Sequence, residues 1–381
     1  MVPAPLAYAQ SVSVVARGNP WIVRGKALAT MTLLLLISFS PSVAWFVSRQ
    51  YTHWQSDAVS PRRAELPPPP ALTVDLSRRY APQLARYERR LDALKISAPR
   101  RSRLVEEHFQ LYRRAHALFG AAQAGAMLGL IEAETRNQEI ALGRRSVFSS
   151  PEAALSNVER WLTFSAVALL EQQQVERREL SRRLRALAPV PLAPEVVFVH
   201  ARWIKRAASV TGLPPAVLAA VVDTEQAGAR VAYGLSGALR TFTDTAALRT
   251  TQMYGRSGLT GELSKTVGLT QMSWQDALGQ QNRLAAMNAQ LGVPFPANEA
   301  EARALLSRPY ANLLLTASRI VGYLNYTEGL GANSVVAHTS AQVYYLGPGW
   351  HNNPALASSG QTWPYAWNAF FKACLYERLL R

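Results

Sequence analysis

Seven apolar residues, Ala216–Val222, lead up to Glu225. A helix over that run can lodge one side against a core and project Glu225 into a cleft. Partial burial disfavours the ionised form and raises a carboxyl's pKa toward neutrality, so such a glutamate still carries a proton when a substrate arrives. Met272 and Trp274 are further apolar neighbours available to it. Asp223, two residues earlier, points to a different side of a helix. Asp244 and Glu262 fall in a long following segment where spacing fixes no position for them. The chemistry legible in these residues is that of a single general acid.

Two later segments offer walls for a cleft: Gly268-Leu269-Thr270-Gln271-Met272 and Val343-Tyr344-Tyr345-Leu346-Gly347-Pro348-Gly349. Gly268 and Gly347 carry no side chain and permit close backbone approach, leaving space for a substrate. Tyr344 adds a hydroxyl that donates or accepts a hydrogen bond. Each residue also has a plainer reading. Tyr344 and Tyr345 suit a core, Gln271 can cap a local backbone group, and Glu225 can be an ordinary surface residue of its helix.

Four pieces now stand in order over about 140 residues: Gly212-Leu213-Pro214-Pro215 opening the helix that leads to Glu225, then Gly268–Met272, then Asn312, Gly322, Tyr323 and Leu324 within a helix over Ala311–Leu324, then Val343–Gly349. Together they resemble the lytic transglycosylases of the soluble type, in the lysozyme-like superfamily, over about residues 200–381. The resemblance implies that Glu225 acts as acid and then as base, that Tyr344 supports the reacting sugar, and that Gln271 bonds an N-acetylated sugar. It also implies that Gly268, Gln271, Met272, Tyr345 and Gly347 line the sugar-binding groove. Gln226 stands where the family has serine, Thr270 where it has methionine, and Tyr345 where it has asparagine. The 43 residues from Glu225 to Gly268 exceed the family's usual span and suggest an inserted loop or hairpin over the groove.

The implied activity is cleavage of the MurNAc–GlcNAc bond of peptidoglycan with a 1,6-anhydro product, a lyase reaction that needs one carboxylate because the substrate's own N-acetyl group assists departure. Two other readings remain open. One is a non-catalytic peptidoglycan-binding or scaffold protein of an envelope-spanning assembly, to which Gln226 and Tyr345 lend support. The other is a lysozyme-like hydrolase, which needs a second carboxylate within ~5–10 Å across the cleft. No cofactor is expected. His200, His338 and His351 are scattered without ligand spacing, so no metal is expected either.

The elements that must position these residues read as mainly all-α. Leu76, Tyr80, Leu84, Tyr87, Leu91 and Leu94 recur at helical spacing within Val74–Lys95. A second helical segment covers about Ser102–Leu142 with an interruption. A third begins at Ser150 and Pro151, a capping residue and a first-turn proline, and runs through Arg185 until Ala188 and Pro189 stop it. These make a hairpin or small bundle over 71–190, a scaffold or a binding module for envelope-complex proteins. Pro189, Pro191 and Pro194 mark its boundary with the lysozyme-like domain, 200–381. Ala115–Ile131, nearly uncharged and rich in small residues, reads as tight helix packing in preference to a second membrane span. Trp350, Trp363, Tyr365, Trp367, Phe370 and Phe371 either fill a core or stack on sugars, and core filling is favoured.

Ahead of these helices, residues 1–26 form a tail with Arg17, Arg24 and Lys26, and 27–48 an apolar stretch in which Ala27–Val47 spans 21 residues. That is close to the ~20 needed to cross a bilayer, and the preceding positive charge places the rest of the chain outside the cytoplasm. The expectation is a single-pass inner-membrane protein with its folded part in the periplasm. The alternative is a cleaved signal ending near Ala44. Residues 49–70, with Pro67–Pro70, form a stiff linker.

The net charge is +16; 15 basic and 9 acidic side chains from residue 200 onward leave +6 there and +10 in residues 1–199. Such a surface attracts polyanions, but no nucleic-acid-binding signature is present, so peptidoglycan strands and the membrane are the expected partners. Cys374, the single cysteine, rules out an internal disulfide.

Overall fold

The apolar stripe that begins at Leu76 folds as expected, and the rest of the amino-terminal helices assemble on it. The computed structural model describes residues 74–141, 147–233, 266–280, 292, 294–329 and 364–381. The amino-terminal tail, the apolar segment 27–48 and the linker 49–70 lie outside the described residues. So do the 234–265 segment, with Asp244 and Glu262, and the 343–349 segment.

Helix α1 is Val74–Ala93 and α2 is Ala98–Phe119. Tyr80, Tyr87 and Leu91 of α1 are buried, with Leu84 packed beside them. The ring of His108 on α2 stacks on Tyr87 at 4.1 Å and 10°, while its Nδ1 lies 2.8 Å from the Tyr80 hydroxyl. Full burial disfavours the charged imidazole and holds its pKa down to about 3.

The long second segment is interrupted, as expected, and the break falls at Gly120. Gly120, at φ 94°, ends α2, and α3 runs over Ala121–Ala141. A positive φ of this kind is reached cheaply only by glycine. The small-residue stretch Ala115–Ile131 therefore spans two helices, and Ala124, Met127, Leu128, Leu130 and Ile131 are buried in the core. Among the described residues no helix is long and apolar enough to cross a membrane. The third segment is also two helices, α4 (Pro151–Gln172) and α5 (Arg177–Leu187). Ser150 caps α4 by accepting a hydrogen bond from the Ala153 backbone N–H.

Four longer helices complete the described chain: α6 (Pro194–Thr211), α7 (Pro215–Tyr233), α10 (Pro309–Gly329) and α11 (Pro364–Leu379). Between α7 and α10 lie the short helices α8 (Trp274–Leu278) and α9 (Glu299–Leu306). There too is a two-residue antiparallel pair, β1 (Thr266–Val267) with β2 (Met272–Ser273), in register Thr266 with Ser273 and Val267 with Met272. The described residues are thus mainly helical and all fall within one compact unit.

Helix α11 packs on both α4 and α7. Phe371 stacks on Trp161 of α4 at 5.4 Å, and the Trp367 indole N–H donates to Asn157 at 2.8 Å. Trp367, Phe370 and Phe371 are buried, so these carboxy-terminal aromatics fill a core. The helices on either side of the Pro189–Pro194 stretch therefore share packing through α11.

On its other side α11 meets α7 through charge. Asp223 is fully buried and Lys372 nearly so, with the ammonium 2.7 Å from Asp223 Oδ1. Lys372 also donates to the Pro191 carbonyl at 3.0 Å. The second carboxylate oxygen accepts from the Ala193 N–H at 2.9 Å and from the Tyr376 hydroxyl. Burial, and the adjacent carboxylate, push the Tyr376 phenol well above its ordinary pKa.

Removing one partner of a buried ion pair leaves an uncompensated charge and costs about 3–5 kcal/mol. Lys372→Met should lower urea-unfolding stability by about that amount, and adding Asp223→Asn in the same chain should restore much of it. Equal instability of the single and double variants would show that the charge is not what matters there. His108 gives a second expectation. The unfolded chain takes up its proton near the ordinary 6.5 and the native state not until about 3, so the unfolded state binds more protons in that window and stability falls as pH falls through it. The slope contributed is at most ~1.4 kcal/mol per pH unit. In urea titrations from pH 7 to 4, His108→Phe should show a flatter profile than the wild type; parallel profiles would refute the assignment.

Candidate active site

Gly212 ends α6 in the left-handed region at φ 76°, turning the chain through Leu213 and Pro214 so that Pro215 can open α7. The apolar run Ala216–Val222 is buried throughout, as its composition requires. Glu225 is half-buried one turn beyond. The helix does not end near this glutamate: α7 continues to Tyr233, and Glu225 sits in the body of the helix. Asp223 does point elsewhere, into the ion pair with Lys372.

The residue after Glu225 makes the contact that matters for the neighbouring wall. Gln226, 2% exposed, donates its amide N–H to the Leu269 carbonyl at 2.8 Å. Leu269 lies in the turn between β1 and β2, so the helix carrying Glu225 is tied directly to the 268–272 segment. By sequence alone Gln226 stands out only because the resemblance has serine there. A long amide at this position can bridge to a backbone group that a serine hydroxyl is too short to reach from the same place.

Every carbonyl from Val267 to Leu269 in this turn accepts a side-chain hydrogen bond. Asn312 of α10, fully buried, donates to Val267 at 3.0 Å and Gln271 donates to Gly268 at 2.6 Å, while Gln226 takes Leu269. Asn312 Oδ1 accepts from the Thr270 N–H at 3.0 Å and from its hydroxyl at 2.9 Å, and that hydroxyl lies 2.6 Å from the Thr316 hydroxyl. The pocket of Thr270 is polar, and its hydroxyl is hydrogen-bonded there.

Two expectations about this wall change in consequence. Gly268, at φ 84°, does not leave room for a sugar: a Cβ there would fall 2.4 Å from Asn312 Nδ2 and 2.5 Å from the Leu306 carbonyl, so glycine is demanded by close packing onto α9 and α10. Met272 is 1% exposed and supports the wall from behind instead of lining a groove. Gln271, at φ 51°, turns one amide N–H onto its own turn, the capping alternative. Tyr344, Tyr345 and Gly347 lie outside the described residues.

A second carboxylate stands just past the turn. Asp276 Oδ2 accepts from Ser273 Oγ and from Arg319 Nη1, each at 2.5 Å, and Ser273 Oγ caps α8 through the Asp276 N–H at 3.0 Å. Its charge is therefore compensated by a mostly buried guanidinium. Among the described residues no group of His, Cys, Asp and Glu could hold a metal ion.

A cavity of about 770 Å³ opens at the other end of α7, lined by Pro214, Pro215, Val217, Phe370, Cys374 and Tyr376 among others. At 1.5 Å per residue it begins roughly 12–15 Å along the axis from Glu225, so it is not the cleft of that carboxyl. Burial pushes the Cys374 thiol up, which removes it as a nucleophile.

Comparison of the chain with protein-family models, with curated proteins and with solved structures finds no match.

If Gly268 is held by packing, Gly268→Ala should lower stability by about 1–3 kcal/mol from overpacking and strained φ. The measurement is the urea midpoint at unchanged slope; an unaltered midpoint would mean that the turn relaxes freely.

Proposed function

We propose that this chain is a peptidoglycan lytic transglycosylase with Glu225 as its acid and base. The observation that carries the reading is the state of two other described carboxylates, one on the same helix and one just past the 268–271 turn. Asp223 is paired with Lys372 and Asp276 with Arg319, so neither is available to act as a nucleophile or to activate water. Glu225 is half-buried on a helix whose preceding two turns are locked in the core. A reaction in which the substrate's N-acetyl group assists departure, and one glutamate first gives and then takes a proton, suits such an arrangement. Tyr344 is assigned the supporting role by its motif. The apolar segment 27–48 anchors the chain in the inner membrane, and the folded part works in the periplasm on glycan strands.

One observation favours a second reading, a peptidoglycan-binding or scaffold protein without activity. Gln271, the residue to which the resemblance gives a bond to the N-acetylated sugar, turns one amide N–H onto the Gly268 carbonyl, as a purely structural cap would.

Purified sacculi separate the readings. Wild-type protein should release 1,6-anhydro muropeptides, and Glu225→Gln should reduce release by about 100-fold or more, the usual contribution of a general acid, while leaving the urea midpoint near that of the wild type. Products with reducing ends would identify a hydrolase instead, and sacculus binding without any soluble product would identify a binding protein. For topology, a reporter fused after Arg381 should be active only outside the cytoplasm; cytoplasmic activity alone would refute the placement.

A further inference from the structure

The outer face of α6 carries three exposed cations, two of them stacked on aromatic rings. Many arginines elsewhere are neutralised: Arg86, Arg100, Arg114, Arg182 and Arg183 each lie on a glutamate. Arg202, Lys205 and Arg206 are exposed, and among the described residues no carboxylate pairs with them. The Arg202 guanidinium lies over the Trp203 ring at 5.3 Å. That of Arg206 lies over the same ring at 5.9 Å and over Tyr310 of α10 at 4.8 Å. Trp203 and Tyr310 are themselves 5.3 Å apart. Stacking of this kind holds a guanidinium's position without using its N–H groups, which stay free for an anion.

Apolar side chains share the face. Val199 is 76% exposed and Val210 36%. Val199, Trp203, Arg206 and Val210 follow one another at intervals of three or four, with Arg202 beside Trp203, and so form one stripe along the helix.

We infer that this stripe docks α6 onto an anionic phospholipid surface, the guanidiniums taking headgroup phosphates and Val199 and Val210 entering the acyl boundary. Two features favour lipid over a soluble polyanion. Nucleic acids and glycans exploit an aromatic ring by stacking on its open face, and here guanidiniums occupy the indole. An exposed valine is rewarded by neither, whereas an interfacial helix gains by burying apolar side chains between cations.

Cys374 is buried, so Val199→Cys accepts a single environment-sensitive fluorophore on the stripe. The full-length labelled protein is mixed with nanodiscs of phosphatidylcholine, with or without phosphatidylglycerol. The amino-terminal apolar segment is present in both arms, so the difference between them reports this face. The expected result is a blue shift, quenched by brominated acyl chains, that requires phosphatidylglycerol and reverses at high salt. Arg202→Gln with Arg206→Gln should lower the docked-to-free ratio by about ten-fold or more, for two near-surface cations lost, and the corresponding lysine pair should retain most of it. Emission indifferent to phosphatidylglycerol would overturn the inference. So would an equal shift on heparin or duplex DNA without lipid, which would assign the stripe to a soluble polyanion.

Discussion

A carboxylate buried without a counter-charge is one of the most costly things a protein interior can contain. Asp223 is fully buried in the helix that also carries Glu225, and everything around it is arranged to make that tolerable. Lys372 supplies the charge, Tyr376 and the Ala193 N–H supply hydrogen bonds, and Lys372 reaches on to the Pro191 carbonyl. One side chain thus fixes the entry to α6, the rotation of α7 and the register of α11. The orientation of Glu225 follows, since two residues along a helix is a fixed angular step. Where Asp223 must face inward, Glu225 is directed elsewhere.

The second constraint is the turn at 268–271. Two of its residues take positive φ, and its carbonyls are held by Gln226, Gln271 and Asn312. Such a turn has little freedom to adjust to a ligand, so any cleft formed with Glu225 has at least one rigid wall. Rigid walls favour preorganised recognition, in which binding energy is not spent on ordering loops.

The helices were legible because their signals are local. The spacing from Leu76 to Leu91, the Ser150–Pro151 start and the need for an interruption in 102–142 all follow from a few neighbouring residues, and Gly120 is where the break falls. Asp223 illustrates what was not legible. Its direction could be read from helical geometry, but its partners Lys372 and Tyr376 stand about 150 residues away, and no local pattern announces them. Gly268 was singled out for the right property and the wrong neighbour, because sequence shows that a side chain is absent without showing what presses against the gap. The motif gives Met272 a place in the groove wall, and burial claims it instead.

Helix α11 has one consequence for how the chain comes into being. It is made after every other described helix, yet it supplies Lys372 to Asp223 and Phe371 to Trp161. Until the ribosome has delivered it, α4 and α7 expose the apolar sides it will cover, and Asp223 has no cation. The nascent polypeptide therefore cannot settle its core while synthesis proceeds. Closure of the core shared by α4 and α7 is thereby deferred until α11 has been made.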